Sequence, residues 1–407
     1  MSIETAQDHA SKLNIEAIQD ALVGEGIDGW LFYYFHENDP LALRILHLEG
    51  AHFFSRRWFY LIPAKGTPAK IVHRIESDAL ASLPGVDHVY LGWRQMESLL
   101  EKLIKPLKTV AMQYSPRNSV PYVSRIDAGI VELIRSLGAD VVSSANLVQR
   151  FEAVWTPGQL DTHIHAADRL RTIIDEAFAE VRRCIDGGIS LNEYELQQFI
   201  LQAYERYGLV SSSPPIVAVN EHSGSPHYQP TAAKHWPIRE GDFLLLDIWA
   251  KKRDPLDAVY ADITWTGFVG RTVPDKYQEI FEIVRGARDA ALAYVSMRIE
   301  ESGIVHGWQV DDIARTYISE RGYGDCFVHR TGHSIGVEVH ANGANIDNLE
   351  TRDERQIIDR TAFSIEPGIY LADFGVRSEI DAYVGDGKVH VYGQPIQTAV
   401  VPILTVK

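Results

Sequence analysis

The chain has 407 residues, 55 acidic and 39 basic, giving a formal charge of −16 at neutral pH. That surplus argues against a nucleic-acid binder, which needs a basic footprint to displace phosphate counterions, and against a partner on an anionic membrane surface. A hydrophobic content of 45% and a charged content of 23% describe a globular chain long enough for two or three domains; Cys184 and Cys326 alone cannot build a disulfide scaffold or a cysteine-rich metal module.

Residues 1–24 intersperse Glu4, Asp8, Lys12, Glu16 and Asp20 among apolar residues, so no secretory leader is expected. No stretch approaches the roughly 18 apolar residues that span a bilayer, and a cytoplasmic protein is the expectation. Up to about residue 152, short apolar runs at 30–35, 58–63, 70–73 and 108–114 predict buried strands. Helical patterns at 15–22, 97–104 and 126–137 lie between them, predicting an α/β layer of its own. Thr156 and Pro157 form an N-cap and first-turn proline. Leu160, Ile164, Ala167, Leu170, Ile174, Ala177, Phe178 and Val181 then recur at helical spacing. Ser190 with Glu193 predicts a capping box opening a second helix that stops at Gly208. Further helices fit 275–295 and 309–322. Strands fill the rest in separate blocks, an α+β signature for residues 153–407.

Four segments carry chemistry. In the buried-strand pattern 243–250, Asp247 stands among Phe and Leu, where a lone carboxylate is costly unless paired or bound to a metal. The strand 259–269 alternates: Val259, Ala261, Ile263 and Trp265 point one way, and Tyr260, Asp262, Thr264 and Thr266 the other. A turn over 251–258 makes the two a hairpin that can bring Asp247 and Asp262 together, and two such carboxylates repel unless a cation or a proton lies between them. Downstream, His329, His333 and His340 stand among glycines, with Gly332 and Gly336 allowing close backbone approach around His333. Glu366 ends an apolar strand before a Pro-Gly turn. Arg377, Glu379 and Asp381 share one strand face, while Val376, Ile380, Ala382 and Val384 fill the other.

Each residue alone has a plainer explanation. A strand-end acid is usually a cap, Glu379 beside Arg377 is compatible with an ordinary polar pair, and a single His333 suits a satisfied core histidine. Together, four carboxylates and one imidazole suit two divalent ions with mostly oxygen ligands, and such a pair can activate water and polarise a carbonyl.

The five residues, in order and in the contexts ADIT, TGHSIG, IEPG and VRSE, resemble the pita-bread metallohydrolases: methionine aminopeptidase, prolidase, aminopeptidase P and creatinase. The resemblance runs from about Trp155 to the C-terminus. It implies a pita-bread catalytic domain over 153–407 behind a smaller creatinase-type α/β domain over 1–152, the layout of Xaa-Pro peptidases. It assigns Asp247, Asp262, His333, Glu366 and Glu379 as ligands of two divalent ions, with manganese preferred and cobalt, zinc or iron as alternatives. Glu366 would also accept the proton of the attacking hydroxide or water; His227 and His340 would support the tetrahedral intermediate. His329 and Arg377 are implied on the substrate side, with holding a ligand in place from behind an equal reading for His329. A homodimer follows from the same resemblance.

Three departures bear on the substrate. Trp249 stands where the family usually has glycine, and Trp265 where it usually has a basic residue. The two aspartates lie fifteen positions apart, which lengthens the hairpin turn and adds Lys251, Lys252 and Arg253, read as a solvated tip. The implied activity is hydrolysis of the bond before proline in a small peptide. The alternative is a metal-dependent lyase or hydrolase of the same fold on a small non-peptide substrate. A binding protein without catalysis would lack ligands, and all five are present.

Overall fold

The computed structural model describes residues 13–48, 50 and 54–405; residues 1–12 of the segment read as lacking a leader lie outside the described residues. The chain divides into two compact units, Met1–Glu152 and Ala153–Lys407.

In the first unit a six-stranded sheet runs in the order Val86–Tyr90, Ala69–His73, Trp58–Pro63, Gly29–Tyr34, Thr109–Met112, Asp140–Ser143. The strand Gly29–Tyr34 is apolar throughout because both its faces are covered. Trp30, Phe32 and Tyr34 pack with Ile18, Ala21 and Leu22 of the helix Ile15–Glu25. Leu31 and Tyr33 pack with Met96, Leu100 and Ile104 of the helix Trp93–Ile104. The two outermost strands escaped the sequence reading because an edge strand needs no continuous apolar run: Val86 and Val89 are exposed.

The second unit is mixed α+β. Its long hairpin pairs Phe243–Lys252 with Tyr260–Phe268, Asp247 opposite Thr264 and Trp249 opposite Asp262. Period-2 alternation puts Leu246, Ile248, Ala261, Ile263 and Trp265 on one face, packed on the helices Pro157–Asp186 and Glu193–Arg206. The other face carries Asp247, Trp249, Asp262 and Thr264. A four-stranded sheet follows in the order Ser334–Ile335, Ala362–Ile365, Ile380–Gly385, Lys388–Val391, backed by the helices Asp275–Glu300 and Gly307–Ser319. Between them the polar faces meet: the Asp262 amide donates to Asp381 Oδ2 at 2.8 Å, and Thr264 Oγ1 donates to Glu379 Oε2 at 2.7 Å.

Several expectations need correction. Val259 precedes its strand and packs with Trp155, Trp249 and Tyr260 rather than with Ala261 and Ile263. The capping box of the second helix is Asn192 with Glu195, each bonding the other's backbone amide at 2.9 and 3.0 Å; Ser190 is not the cap, and Glu193 is buried. Residues 375–384 do not form one strand: Gly375–Arg377 pairs with Gly368–Tyr370, and Ile380–Gly385 belongs to the four-stranded sheet. The basic tip is only partly solvated. Lys251 and Lys252 belong to the strand, Lys251 Nζ donates to the Val337 carbonyl at 2.9 Å, and Arg253 pairs with Glu205. Trp265 lies on the helix-covered face with the Arg171 guanidinium 3.8 Å from its ring centre. It therefore does not reshape the acidic face, whereas Trp249 stands on that face.

Candidate metal centre

Four segments deliver the site. The hairpin supplies Asp247 and Asp262, the segment before Ser334–Ile335 supplies His333, the end of Ala362–Ile365 supplies Glu366, and the link between Gly375–Arg377 and Ile380–Gly385 supplies Glu379. Asp262, His333 and Glu379 are all buried, and one ligand atom from each lies within 4.8 Å of the others. Glu366 Oε1 is 3.4 Å and Asp262 Oδ2 is 3.7 Å from His333 Nε2. Asp247 adds its charge to Asp262, Glu366 and Glu379.

Glycine makes this convergence possible. A Cβ on Gly332 would lie 1.9 Å from the Ser364 carbonyl oxygen, so no larger residue allows the His333 segment to approach Ala362–Ile365 this closely. Ser364 then links His333 and Glu366: its Oγ accepts from the His333 amide at 3.0 Å and donates to Glu366 Oε1 at 3.0 Å.

The electrostatics suit a cation. Burial drives Asp262 and Glu379 far above the ordinary carboxylate range, and surrounding carboxylates add to the effect. Burial lifts Glu366 to about 7 against the opposing charge of Arg377. Burial drives His333 well down, so it is neutral. Its Nδ1 faces the Ser334 carbonyl at 3.2 Å and must carry the proton, leaving the Nε2 lone pair toward the carboxylates. Asp262 Oδ1 is buried without a hydrogen-bond partner, a costly state for a carboxylate oxygen that a cation would relieve. The donor set therefore fits divalent ions held by oxygen and one imidazole.

Arg377 is the fixed cation of the site. It forms a short ion pair with Asp247, donates from Nε to Thr264 Oγ1 at 3.1 Å and from Nη1 to Tyr370 Oη at 2.9 Å, and lies 3.8 Å from Glu366. Burial opposes its charge, but the Tyr370 hydroxyl and the neighbouring carboxylates outweigh burial and raise its pKa. His329 Nδ1 meets the Arg330 carbonyl and Nε2 meets Tyr370 Oη, each at 2.7 Å. Burial holds His329 down at about 3, so the tyrosine hydroxyl donates to Nε2. Tyr370, Thr264 and Ser364 were not singled out from sequence as site residues; only Thr264 had a signal, its shared face with Asp262.

His340 stacks edge-on against His333 with ring centres 4.3 Å apart; desolvation lowers it to about 4 although its residue still reaches solvent. His227 is exposed and lies near enough to His329 and His340 to influence both electrostatically.

Comparisons with known proteins bear on the family and the fold. The model of metallopeptidase family M24 matches residues 165–386. The probable dipeptidase PepE of Mycobacterium tuberculosis (strain ATCC 25618 / H37Rv) is 27% identical over 355 residues, covering 87% of this chain and 88% of the relative. Among solved structures, dipeptidase PepE from Mycobacterium ulcerans superposes with a TM-score of 0.67 at 23% identity, covering 95% of this chain and 97% of that one. The Xaa-Pro dipeptidase from Bacillus anthracis does so with a TM-score of 0.59 at 23% identity, covering 95% and 98%. At these identities the two structures speak to the fold, which is the pita-bread α+β fold expected from the sequence.

Proposed function

The chain belongs to metallopeptidase family M24, and from that premise we propose that it is a metal-dependent peptidase of Xaa-Pro dipeptidase or aminopeptidase type, hydrolysing the bond before proline in a small peptide. The observation that carries the reading is the buried cluster of Asp262, His333 and Glu379, with ligand atoms within 4.8 Å of one another. In this reading Asp247, Asp262, His333, Glu366 and Glu379 hold two divalent ions, manganese foremost, with cobalt, zinc or iron as alternatives. When bound, the ions lower the pKa of the attacking water and polarise the amide carbonyl.

The chain's own residues do the rest. Glu366 accepts a proton from the attacking water and delivers it to the leaving imino nitrogen. His227 and His340 stabilise charge on the carbonyl oxygen. Arg377 and His329 serve the substrate side through Tyr370, whose hydroxyl both hold.

We further propose residues 1–152 as a creatinase-type domain and 153–407 as the catalytic domain, in a cytoplasmic homodimer. The division into compact units supports the domain boundary, and the resemblance supports the dimer. Among the described residues no helix is long and apolar enough to cross a membrane. The test is a panel of Ala-Pro, Ala-Pro-Ala and proline-free peptides offered to manganese-loaded protein. Cleavage confined to bonds before proline supports the reading; no cleavage of any peptide favours a non-peptide substrate.

A further inference from the structure

The box expected at the start of the second helix misassigned one residue, and that residue has a different role. Glu193 opens the helix Glu193–Arg206 and has no exposed surface. Four donors converge on its carboxylate. Oε1 accepts from the Val219 amide at 2.8 Å and meets His222 Nδ1 at 2.9 Å. Oε2 accepts from Tyr228 Oη and from the Trp236 amide, both at 2.7 Å. The His222 ring lies between those of Tyr228 and Trp236, with centres 4.0 and 4.2 Å away. One buried carboxylate thus gathers both ends and the middle of the segment 219–236.

That segment is also tied to the site. Ile216–Val219 pairs with the strand bearing Asp247, Ile216 directly opposite it. Asn220 Oδ1 accepts from the Phe243 amide at 2.9 Å, and Ser223 Oγ accepts from the Gly375 amide at 2.9 Å, at the head of the strand that ends in Arg377. His227 directly precedes Tyr228 and has an exposed side chain.

We propose that Glu193 is a positioning residue: it fixes the 219–236 segment, and through Tyr228 the place of the adjacent His227. The inference rests on the role of His227 proposed above. Glutamine at 193 keeps the shape but turns an amide N–H₂ toward donors, leaving at least one of them without an acceptor. A displaced His227 costs turnover out of proportion to the structural change, since an error of about 1 Å in a catalytic group is worth about 100-fold.

The test uses the full, manganese-loaded chain. Glu193→Gln and Tyr228→Phe are each made alone and combined with His227→Ala, and Ala-Pro hydrolysis, manganese content and amide exchange over 219–236 are measured. Expected are a loss of about 100-fold in kcat/KM for Glu193→Gln, unchanged manganese content, faster exchange in 219–236, and disappearance of the loss in the His227→Ala background. Tyr228→Phe, which removes one donor and keeps the ring stack, should give a smaller loss that vanishes in the same way and carries the test should Glu193→Gln not fold. A loss of equal size with and without His227, or unchanged exchange in 219–236, overturns the proposal. A wild-type chain that cleaves no peptide overturns the peptidase reading instead, and the exchange comparison then decides by itself whether Glu193 holds the segment.

Discussion

His333 turns Nε2 toward Glu366 and Asp262, at 3.4 and 3.7 Å, while its Nδ1 is held by the Ser334 carbonyl. A neutral imidazole locked in that tautomer and facing buried carboxylates has the form of a metal ligand. Replacing either partner should therefore remove metal without unfolding the chain. Asp262→Asn and His333→Ala are expected to fall below one manganese per chain by elemental analysis while keeping the wild-type far-ultraviolet circular dichroism. Asp262→Asn should also be more stable than wild type when both are metal-free at pH 8, because it removes the cost of burying a carboxyl that must either keep its charge or take up a proton on folding.

The raised carboxylates set a pH dependence. Asp262, Glu366 and Glu379 bind protons more tightly in the folded chain than in the unfolded one. Over that window the native state holds more protons, so the contribution of these groups to stability falls as pH rises. For Glu366 the window runs from its ordinary value of 4.5 to about 7. Stripped protein should lose melting temperature across it, whereas metal-loaded protein should not. Binding must also release protons: calorimetric titration with Mn²⁺ at pH 6.5 in buffers of different ionisation enthalpy should show net release, diminishing toward pH 8.5 as Glu366 deprotonates beforehand.

The two tryptophans of the hairpin should separate by function. Trp265 is 8% exposed and packs on the helix face under Arg171. Trp265→Ala should cost about 3–5 kcal/mol of stability and leave manganese content unchanged. Trp249→Ala alters the face that carries Asp247 and Asp262 and is expected to change KM for Ala-Pro while manganese content is retained. Melting curves and steady-state kinetics on both variants check the contrast.

Tyr370→Phe breaks the link from His329 to Arg377 and leaves Arg377 Nη1 without its 2.9 Å acceptor. A buried charged donor so deprived costs about 1–3 kcal/mol. A lower melting temperature with retained manganese is the expected outcome.

What the sequence disclosed, and what it hid, follows from the range of each signal. Asp247 and Asp262 were legible because period-2 alternation puts polar residues on one face of an apolar strand, and the structure places both there. The family was legible through short contexts such as IEPG. Tyr370 was not, since it follows Glu366 by a turn and acquires its place only when Gly368–Tyr370 pairs with Gly375–Arg377. Glu193 looked like half of a capping box because Ser190 stands three residues before it; its burial depends on Val219, Tyr228 and Trp236, which no local pattern ties to it. Trp265 looked like a pocket residue until the strand register assigned its face.

The central claim is that catalysis here needs metal held by these five residues. The most direct measurement is Ala-Pro hydrolysis by one preparation assayed as purified, after chelation and dialysis, and after return of Mn²⁺, with Asp262→Asn carried alongside. The account predicts hydrolysis that vanishes on stripping and returns with Mn²⁺ in wild type, and never appears in Asp262→Asn. Hydrolysis that survives complete stripping, or full activity in Asp262→Asn, would contradict it.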